Sequence, residues 1–313
     1  MMEISNALRG RDFLSLHDFS PEEIALMLEV ALDLKQKQKA GIAHHVLAGK
    51  TLGMIFQKSS TRTRVAFEVG MYQLGGHALF LSPRDIQLGR GETVPDTALV
   101  LSRVLDGIMI RTFDHQEVME MADWASIPII NGLTNLLHPT QVLADLMTIT
   151  EHKGGLKGIK LAYIGDGNNM AHSLLFGGAK VGMDVTIAAP LGYQTNPEIL
   201  AMAQQDALAT GAKIQVVTNP FEAVAGADVL YTDVWASMGQ EGEAEEKEKQ
   251  FAQYQINSEL LNAAQKDAIV LHCLPAKRGK EITKEVIDGP QSVVFDEAEN
   301  RLHAHKAIMA LVM

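Results

Sequence analysis

The fold is decided by the sequence LGMIF at 52–56, which is followed three residues later by STRTR at 60–64. The first run is short, continuous and apolar, as is typical of a β-strand that is covered on both faces. Residues 65–69 continue without a helix breaker as far as Gly70 and predict the body of a helix. A strand, a Ser/Thr-rich turn and a helix in this order place unpaired backbone N–H groups and the positive end of a helix dipole beside the hydroxyls.

The same turn carries Arg62 and Arg64, whose forked guanidinium groups match the geometry of phosphate oxygens. Hydroxyls, backbone N–H groups and arginines at one helix end predict a binding site for a ligand that bears a phosphate. For this stretch taken alone, a hydroxyl-capped helix with two solvated arginines is an equal alternative. The rest of the chain has to decide between the two.

The length and composition of the chain indicate a globular protein with more than one domain. At 313 residues the chain exceeds the size at which a single hydrophobic core usually keeps growing. Its content of 47% hydrophobic and 21% charged residues is close to average usage. The formal net charge of −11 argues against a nucleic-acid surface and against binding to an anionic membrane.

The cysteine content and the N-terminal sequence bear on the cellular compartment. Cys273 is the single cysteine, so an internal disulfide is impossible and a reducing compartment is expected. The N-terminal residues have no apolar core of signal-peptide length, and no run reaches the ~20 apolar residues of a membrane span. The sequence therefore predicts a cytoplasmic protein, or the mature form of an imported one.

Short apolar runs alternate with helical stretches along the chain. Strands are predicted at 52–56, 77–81, 107–110, 128–130, 160–164, 184–188, 212–217, 228–231, 268–272 and 292–295. Strands that alternate with helices of roughly 10–15 residues indicate βαβ units and parallel sheets. The predicted fold class is α/β, with two doubly wound parallel-sheet domains joined by bridging helices, of which the helix predicted over 139–151 is the best candidate.

Two further stretches predict local structure. SPEE at 20–23 is a capping box with proline at the first helical position, and it predicts an amphipathic helix after it. The charged run at 241–249 predicts a solvated loop or an exposed helix.

Polar residues follow most of the predicted strands, at the strand ends where open α/β sheets bind their ligands. Arg111 follows the strand at 107–110, Asp233 follows the strand at 228–231, and Cys273 follows the strand at 268–272. GDGNN follows the strand at 160–164. Each feature alone has a structural explanation, such as a surface arginine or an inert buried thiol. The number of polar residues that follow predicted strands indicates a small-molecule site.

Six motifs give the chain its resemblance to a known family. They are STRTR at 60–64, HPTQ at 138–141, GDGNN at 165–169, SMG at 237–239 with Asp233 before it, HCLP at 272–275 and EAENR at 297–301. In this order, and over essentially the whole chain, they resemble the aspartate/ornithine carbamoyltransferase superfamily. The SMG and HCLP motifs favour its ornithine branch.

The resemblance implies an enzyme that moves the carbamoyl group of carbamoyl phosphate to the δ-amino group of L-ornithine, giving L-citrulline and phosphate. It implies no metal, no organic cofactor, and a homotrimer or an assembly of trimers. It further implies a carbamoyl phosphate-binding domain at 1–137 with 301–313, an ornithine-binding domain at 152–295, and connections at 138–151 and 296–300. Whether the reaction runs in arginine biosynthesis or in reverse stays open.

The resemblance implies carbamoyl phosphate ligands from both predicted domains. They are Ser60, Thr61, Arg62, Thr63, Gln87, Arg111, His138, Gln141, Cys273, Leu274 and Arg301. The turn at 60–63 is implied to bind the phosphate, with Gln87 reaching the phosphate of a neighbouring subunit. Thr63, Arg111 and His138 are implied to surround the carbonyl oxygen as an oxyanion hole.

The carbamoyl NH₂ group is implied to meet two acceptors. These are the side chain of Gln141 and the carbonyl of Leu274, with the Leu274–Pro275 bond in the cis form. Arg301 completes the contacts to this substrate.

The ornithine ligands implied by the resemblance are Asn169, Asp233, Ser237 and Met238. Asp233 and Cys273 are implied to lie beside the δ-amino nitrogen, whose pKa of ~10.4, by analogy with lysine, requires the loss of a proton before attack. A cysteine nucleophile needs a base and a third group that orients the base. His272 is the sequence neighbour of Cys273 and in a strand would point to the opposite face. We therefore expect direct attack by ornithine, with Arg111, His138, Asp233 and Cys273 as the catalytic residues.

Three alternatives remain at this point. Aspartate, putrescine and acetylated-ornithine carbamoyltransferases share the carbamoyl phosphate half and differ in the loop for the second substrate. A dinucleotide-binding oxidoreductase would use the GDG turn, but Met170 stands where the third glycine belongs, and Asp184 precedes a strand instead of following one. An amino-acid-binding module without catalytic activity would have no use for two separated anion sites, which the motifs indicate.

Overall fold

The computed structural model describes residues 6–88, 90–236 and 244–313. The chain forms two compact units, the first made of Met1–Met147 with Glu299–Met313 and the second of Thr148–Ala298. Both unit boundaries fall inside helices, which are introduced below as α5 and α12.

The first unit is a four-stranded sheet with helices between its strands. Its elements are α1 (Pro21–Lys39), β1 (Thr51–Phe56), α2 (Thr61–Gln73), β2 (His77–Leu81), α3 (Val94–Leu101), β3 (Gly107–Arg111), α4 (His115–Trp124), β4 (Ile129–Leu133) and most of α5 (Pro139–Lys153). The strand order is β2-β1-β3-β4, and every pairing is parallel. The order reverses direction between β1 and β3, so this point is the switch point at which such sheets bind ligands.

Burial explains why these runs form strands. Every residue of β3 and β4 is buried, and in β1 only Thr51 is partly exposed. One face of the sheet packs with α3 and α4 into a core that includes Ile55, Ile108 and Met121. The edge strand β2 differs, because Leu79 and Phe80 are 39% and 38% exposed.

The second unit is a five-stranded sheet built in the same manner. Its elements are β5 (Lys160–Ile164), α6 (Asn169–Val181), β6 (Asp184–Ala188), α7 (Pro197–Ala207), β7 (Ile214–Val217), α8 (Pro220–Val224), β8 (Val229–Thr232), α9 (Ala244–Gln250), α10 (Ser258–Asn262), β9 (Ile269–His272), α11 (Lys284–Ile287) and the first turn of α12 (Val294–Val312). The strand order is β7-β6-β5-β8-β9, again all parallel. The switch point of this sheet lies between β5 and β8.

The predicted fold class is confirmed by the two parallel sheets, and nine of the ten predicted strands form close to their predicted positions. The predicted strand at 292–295 is wrong, because only Ser292 pairs with Val270 and the chain enters α12 at Val294. A short apolar run is compatible with a strand or a helix, so its length alone could not distinguish them. The capping box at Ser20 forms, with the Ser20 side chain and Glu23 each accepting from the other's backbone.

The charged run at 241–249 is only partly as predicted. From Ala244 onward it forms α9, in which Glu245 and Glu246 are exposed but Lys247 is buried. Within the part of the chain that the structure describes, no helix is long and apolar enough to cross a membrane.

Candidate active site

The first unit presents the N-terminus of α2 at its switch point. Ser60 is the N-cap of α2, and its Oγ accepts a hydrogen bond of 3.2 Å from the backbone N–H of Thr63. A groove of about 680 Å³ lies here, lined by the end of β1, the residues Ser59, Ser60 and Thr61, and the start of the loop after β2. A helix N-terminus with unsatisfied N–H groups facing a groove is suited to phosphate oxygens.

The two arginines of this turn differ in their surroundings. Arg64 donates to Glu68 at 2.9 Å, and its guanidinium lies 3.7 Å from the ring centre of Phe80. Its charge is therefore shared with a carboxylate and an aromatic face. Arg62 is half-buried and is the arginine of the turn that remains a candidate for the phosphate.

Thr63 and Arg301 are brought together although 238 positions separate them in sequence. The Arg301 Nη2 atom donates to Thr63 Oγ1 at 2.6 Å, and both side chains are buried. Arg301 comes from α12, so the C-terminal helix supplies a buried cation to the helix end that Ser60 caps. This pairing brings the EAENR motif to the STRTR motif.

Arg111 occupies the neighbouring strand end across the switch point. It is the last residue of β3, it pairs with Phe56 of β1, and it is only 7% exposed. Its Nε atom donates to the carbonyl of Lys58 at 3.2 Å, which fixes the guanidinium beside the turn that follows β1. Lys58 is itself buried, so this part of the unit concentrates positive charge in a protein whose net charge is −11.

His138 is a buried histidine at the start of α5. Burial lowers its pKa well below the usual value, and the positive charges of Arg301 and Arg111 lower it further. Its imidazole is therefore neutral at pH 7, and its Nδ1 atom lies 3.4 Å from Thr140 Oγ1. A neutral imidazole donates from one ring nitrogen, so it can polarise a carbonyl as a hydrogen-bond donor.

Gln141 is fully buried one turn into the same helix. Its Nε2 atom donates to Asp145 at 2.8 Å. With the amide nitrogen directed at Asp145, the amide oxygen is the atom that can accept from the NH₂ of a carbamoyl group. Gln87 is exposed in the loop after β2, where its backbone carbonyl accepts from Arg90, so it is not gathered with the buried residues of this unit.

The second unit has a carboxylate at its switch point. Asp233 follows β8 and is 7% exposed. Cys273, which follows β9, donates from Sγ to Asp233 Oδ1 at 3.1 Å, and Asn168, which follows β5, donates from Nδ2 to Asp233 Oδ2 at 3.2 Å. Three neighbouring strand ends thus converge on one carboxylate, and the thiol is protonated when it donates to it.

The side chain of Asn168 both caps a helix and holds Asp233, and neither role was predicted from the sequence. Its Oδ1 atom caps α6 by accepting from the N–H groups of Met170 and Ala171, and it also accepts from the Tyr163 hydroxyl. This fixes the amide so that its nitrogen points at Asp233. Burial raises the pKa of Tyr163 well above its usual value, and the charge of Asp233 raises it further, so the phenol stays protonated and able to donate.

The HCLP loop is held by the side chain of His272. The Nδ1 atom of His272 accepts from the backbone N–H of Leu274 at 2.9 Å, and its Nε2 atom lies 3.2 Å from Glu281. Leu274 has a φ of 56°, and the bond between Leu274 and Pro275 is cis, as the resemblance implied. The two ring nitrogens of His272 therefore interact with Leu274 and Glu281. This supports the expectation that His272 is not the base that activates the Cys273 thiol.

Asp233, His272 and Cys273 form a group whose potential metal-ligand atoms all lie within 4.8 Å of one another. The hydrogen bonds of His272 do not fit a metal ligand, because Nδ1 uses its lone pair to accept from Leu274 and Nε2 is the donor toward Glu281. The group is therefore better described as part of the hydrogen-bond network around Asp233.

The remaining predicted ornithine ligands divide into two sets. Asn169 is buried at the first position of α6, adjacent to Asn168. Ser237 and Met238 lie outside the described residues.

Three residues that contact the site residues were missed from the sequence, namely Asn168, Lys58 and Asp145. Asn168 lies inside a recognised motif, but its pairing with Asp233 connects β5 to β8, so no local pattern revealed it.

Both halves of the chain match models of one family. The model of the carbamoyl-P binding domain of aspartate/ornithine carbamoyltransferase matches residues 11–151, and that of the Asp/Orn binding domain matches residues 157–312. An ornithine carbamoyltransferase of Symbiobacterium thermophilum is 61% identical over 98% of this chain and 99% of its own.

Solved structures agree with these matches. The ornithine carbamoyltransferase from Pyrococcus furiosus has a TM-score of 0.95 and 55% identity, with 98% of each chain covered. The anabolic ornithine carbamoyltransferase from Campylobacter jejuni has a TM-score of 0.91 and 46% identity, with 96% of this chain and 97% of that chain covered. The motifs, the two half-sites and these relatives lead to one conclusion: the chain belongs to the aspartate/ornithine carbamoyltransferase family.

Proposed function

We infer that the chain transfers the carbamoyl group of carbamoyl phosphate to the δ-amino group of L-ornithine, giving L-citrulline and phosphate. The observation that carries the choice of acceptor is the carboxylate of Asp233, which is held by Asn168 and by the Cys273 thiol. A fixed carboxylate attracts a cationic amine and repels the second carboxylate of aspartate. The high identity to ornithine carbamoyltransferases supports the same acceptor.

The phosphate of carbamoyl phosphate binds at the N-terminus of α2. Ser60, Thr61 and the backbone N–H groups of the first turn donate to its oxygens, and Arg62 and Arg301 supply charge. The Thr63 hydroxyl is directed by its hydrogen bond from Arg301. Because the cap and the arginine are already in place, little side-chain order has to be gained when the substrate binds.

The carbonyl oxygen of the substrate faces Arg111 and His138. Negative charge develops on this oxygen as the amine attacks, and the buried guanidinium and the neutral imidazole donate to it more strongly as the charge grows. The Gln141 amide oxygen accepts from the carbamoyl NH₂ and orients the carbonyl carbon. When the tetrahedral intermediate collapses, the bond between carbon and the phosphate oxygen breaks, phosphate leaves with the electron pair, and the attacking nitrogen gives its surplus proton to the leaving phosphate.

The δ-amino group of ornithine has to lose a proton before its nitrogen can attack. Asp233 accepts a hydrogen bond from this group and Cys273 lies beside it, so both orient the nitrogen lone pair. Asn169, Ser237 and Met238 bind the α-amino and α-carboxylate groups. The thiol takes no covalent part, because it keeps its proton as a hydrogen-bond donor to Asp233 Oδ1 and the ornithine nitrogen is itself the nucleophile.

We propose a cytoplasmic homotrimer, or an assembly of trimers, that works in arginine biosynthesis. Anabolic relatives from Pyrococcus furiosus and Campylobacter jejuni support the direction of the reaction. The exposed Leu79 and Phe80 on the edge strand support a subunit contact near the loop that carries Gln87. Light scattering after size-exclusion chromatography tests the trimer, and a monomer of full activity would contradict it.

The test of the reaction is the colorimetric detection of citrulline, with ornithine, putrescine, lysine and aspartate offered in turn as the second substrate. A site built for an amino acid with a cationic side chain rejects analogues that leave its polar groups unpaired. We therefore expect kcat/KM for ornithine to exceed the other values by at least ~100-fold. Comparable activity with putrescine would show that the site does not recognise an α-carboxylate, and the assigned acceptor would be wrong.

A further inference from the structure

Helix α9 is tied to the loop after β5 by a buried ion pair. The Lys247 Nζ atom lies 2.7 Å from Asp166 Oδ2, and the two side chains are only 4% and 14% exposed. Lysine is rarely buried to this extent without a specific partner. The next residue of the same helix makes a contrasting pair, because Glu248 contacts Lys280 at the surface, where the two side chains are 40% and 44% exposed.

The loop that Lys247 contacts is tightly fixed on its other side. The N–H of Gly167 donates to the carbonyl of Tyr193 at 2.8 Å, and a Cβ atom at Gly167 would lie 2.3 Å from the backbone nitrogen of Thr195. Lys247 also lies 5.6 Å from the ring centre of Tyr193. The loop is therefore held by the segment after β6 and by α9, with Asp166 as the attachment point for α9.

Asp166 is connected to the acceptor site through Asn168. The backbone carbonyl of Asp166 accepts from the N–H of Asn168 at 2.7 Å, and the side chain of Asn168 donates to Asp233. A shift of Asp166 would therefore turn the amide that holds the Asp233 carboxylate. Both carboxylates act electrostatically on Tyr163, so they share one neighbourhood and the charge on Asp166 matters there.

We propose that Lys247 is a positioning residue for ornithine, which it serves by neutralising Asp166 and holding the loop that carries Asn168. The proposal rests on the assignment of Asp233 to the ornithine amine. With the lysine in place, Asp233 is the carboxylate left to attract the substrate cation. Without it, Asp166 is a second anion in the same neighbourhood, which competes for the cation and releases the loop.

The test compares Lys247→Met with Lys280→Met, which breaks the exposed pair of the same helix. Steady-state kinetics are measured with each substrate varied, at a temperature below the unfolding transition of every variant. We expect Lys247→Met to lower kcat/KM for ornithine at least ~10-fold and to leave KM for carbamoyl phosphate within ~2-fold, which is the pattern of a residue that serves one substrate. Lys280→Met should match the unaltered protein.

The double variant Asp166→Asn/Lys247→Met separates position from charge. It removes the charge of Asp166 together with that of Lys247, so it should recover part of the activity that Lys247→Met loses. A merely structural lysine would lower the melting temperature with kcat/KM for ornithine unchanged, and that result, or an equal loss for both substrates, would overturn the proposal.

If the unaltered protein makes citrulline but the variants behave like it, only the role of Lys247 fails. If the unaltered protein makes no citrulline, the assigned reaction fails as well.

Discussion

The two half-sites of this chain are suited to ligands of opposite charge and are built from different groups. The half-site of the first unit receives an anion, and it combines the N-terminus of α2 with buried cations such as Arg111 and Arg301. In the proposed reaction the half-site of the second unit receives a cation, and it presents the carboxylate of Asp233, which accepts hydrogen bonds from side chains at the two neighbouring strand ends. A helix end offers several equivalent donors, whereas a lone carboxylate has no substitute. We therefore expect the second half-site to be the more sensitive to a single substitution.

The largest effect is expected for Asp233→Asn, which keeps the shape of the side chain and removes its charge. Removing one member of a buried charge pair costs about 2–5 kcal/mol, so kcat/KM for ornithine should fall by ~10³-fold. Initial rates at saturating carbamoyl phosphate, with ornithine varied, measure this fall. A loss of less than ~10-fold would contradict the view that one carboxylate carries the acceptor site.

Arg111→Ala should have the second-largest effect. The loss of one donor to a developing oxyanion typically costs ~10²- to 10³-fold in kcat, and His138 remains as the other donor. We therefore expect kcat to fall at least ~100-fold, as measured by citrulline formation with both substrates saturating. A raised KM for carbamoyl phosphate with an unchanged kcat would remove Arg111 from the catalytic residues and leave it as a binding residue.

Part of the first half-site lies in one local stretch of sequence, whereas the contacts around Asp233 join distant stretches. Ser60, Thr61 and Thr63 lie in one turn, so the local pattern of strand, turn and helix suggested an anion site there, with an ordinary helix cap as an equal alternative until the other motifs were considered. The contacts of Asp233 come from residues 65 and 40 positions away. Family resemblance supplied Asp233 and Cys273, but the role of Asn168 emerged only from the folded chain.

One sequence prediction failed and another was only partly right, because tertiary packing overrode local composition. Residues 292–295 were predicted as a strand, yet Val294 begins the long helix α12. The charged run at 241–249 was predicted to be a solvated loop or an exposed helix, and its part from Ala244 onward forms α9 with Glu245 and Glu246 exposed, yet Lys247 is buried against Asp166. A single buried lysine in an otherwise polar run leaves no periodic signal.

The smallest predicted effect concerns the pH dependence of stability, through a buried histidine of the first unit that lies near the positive charge of Arg301. His305 is fully buried, it stacks on Phe67 with ring centres 4.2 Å apart, and neither of its ring nitrogens has a hydrogen-bond partner among the described residues. Burial lowers the pKa of His305 well below 6.5, and the charge of Arg301 lowers it further. Below the unfolded pKa only the unfolded chain gains this proton, so His305 destabilises the fold as the pH falls from 7.5 to 5.5.

His305→Phe keeps the ring stacking and removes the titration. Its free energy of unfolding should therefore decrease less between pH 7.5 and 5.5 than that of the unaltered protein, by about 1 kcal/mol. Chemical denaturation at the two pH values measures the difference, and His45→Gln, at an exposed position, is the matched control. An unchanged pH dependence in His305→Phe would show that this histidine is not held neutral.

The central claim is that the two half-sites divide the substrates between them. It is tested most directly by measuring KM for both substrates in Arg111→Ala and Asp233→Asn side by side with the unaltered protein. We predict that Asp233→Asn damages the use of ornithine and leaves KM for carbamoyl phosphate within ~2-fold, because only the second substrate meets that carboxylate. Loss of carbamoyl phosphate binding in Asp233→Asn, or the same pattern of changes in both variants, would contradict the division.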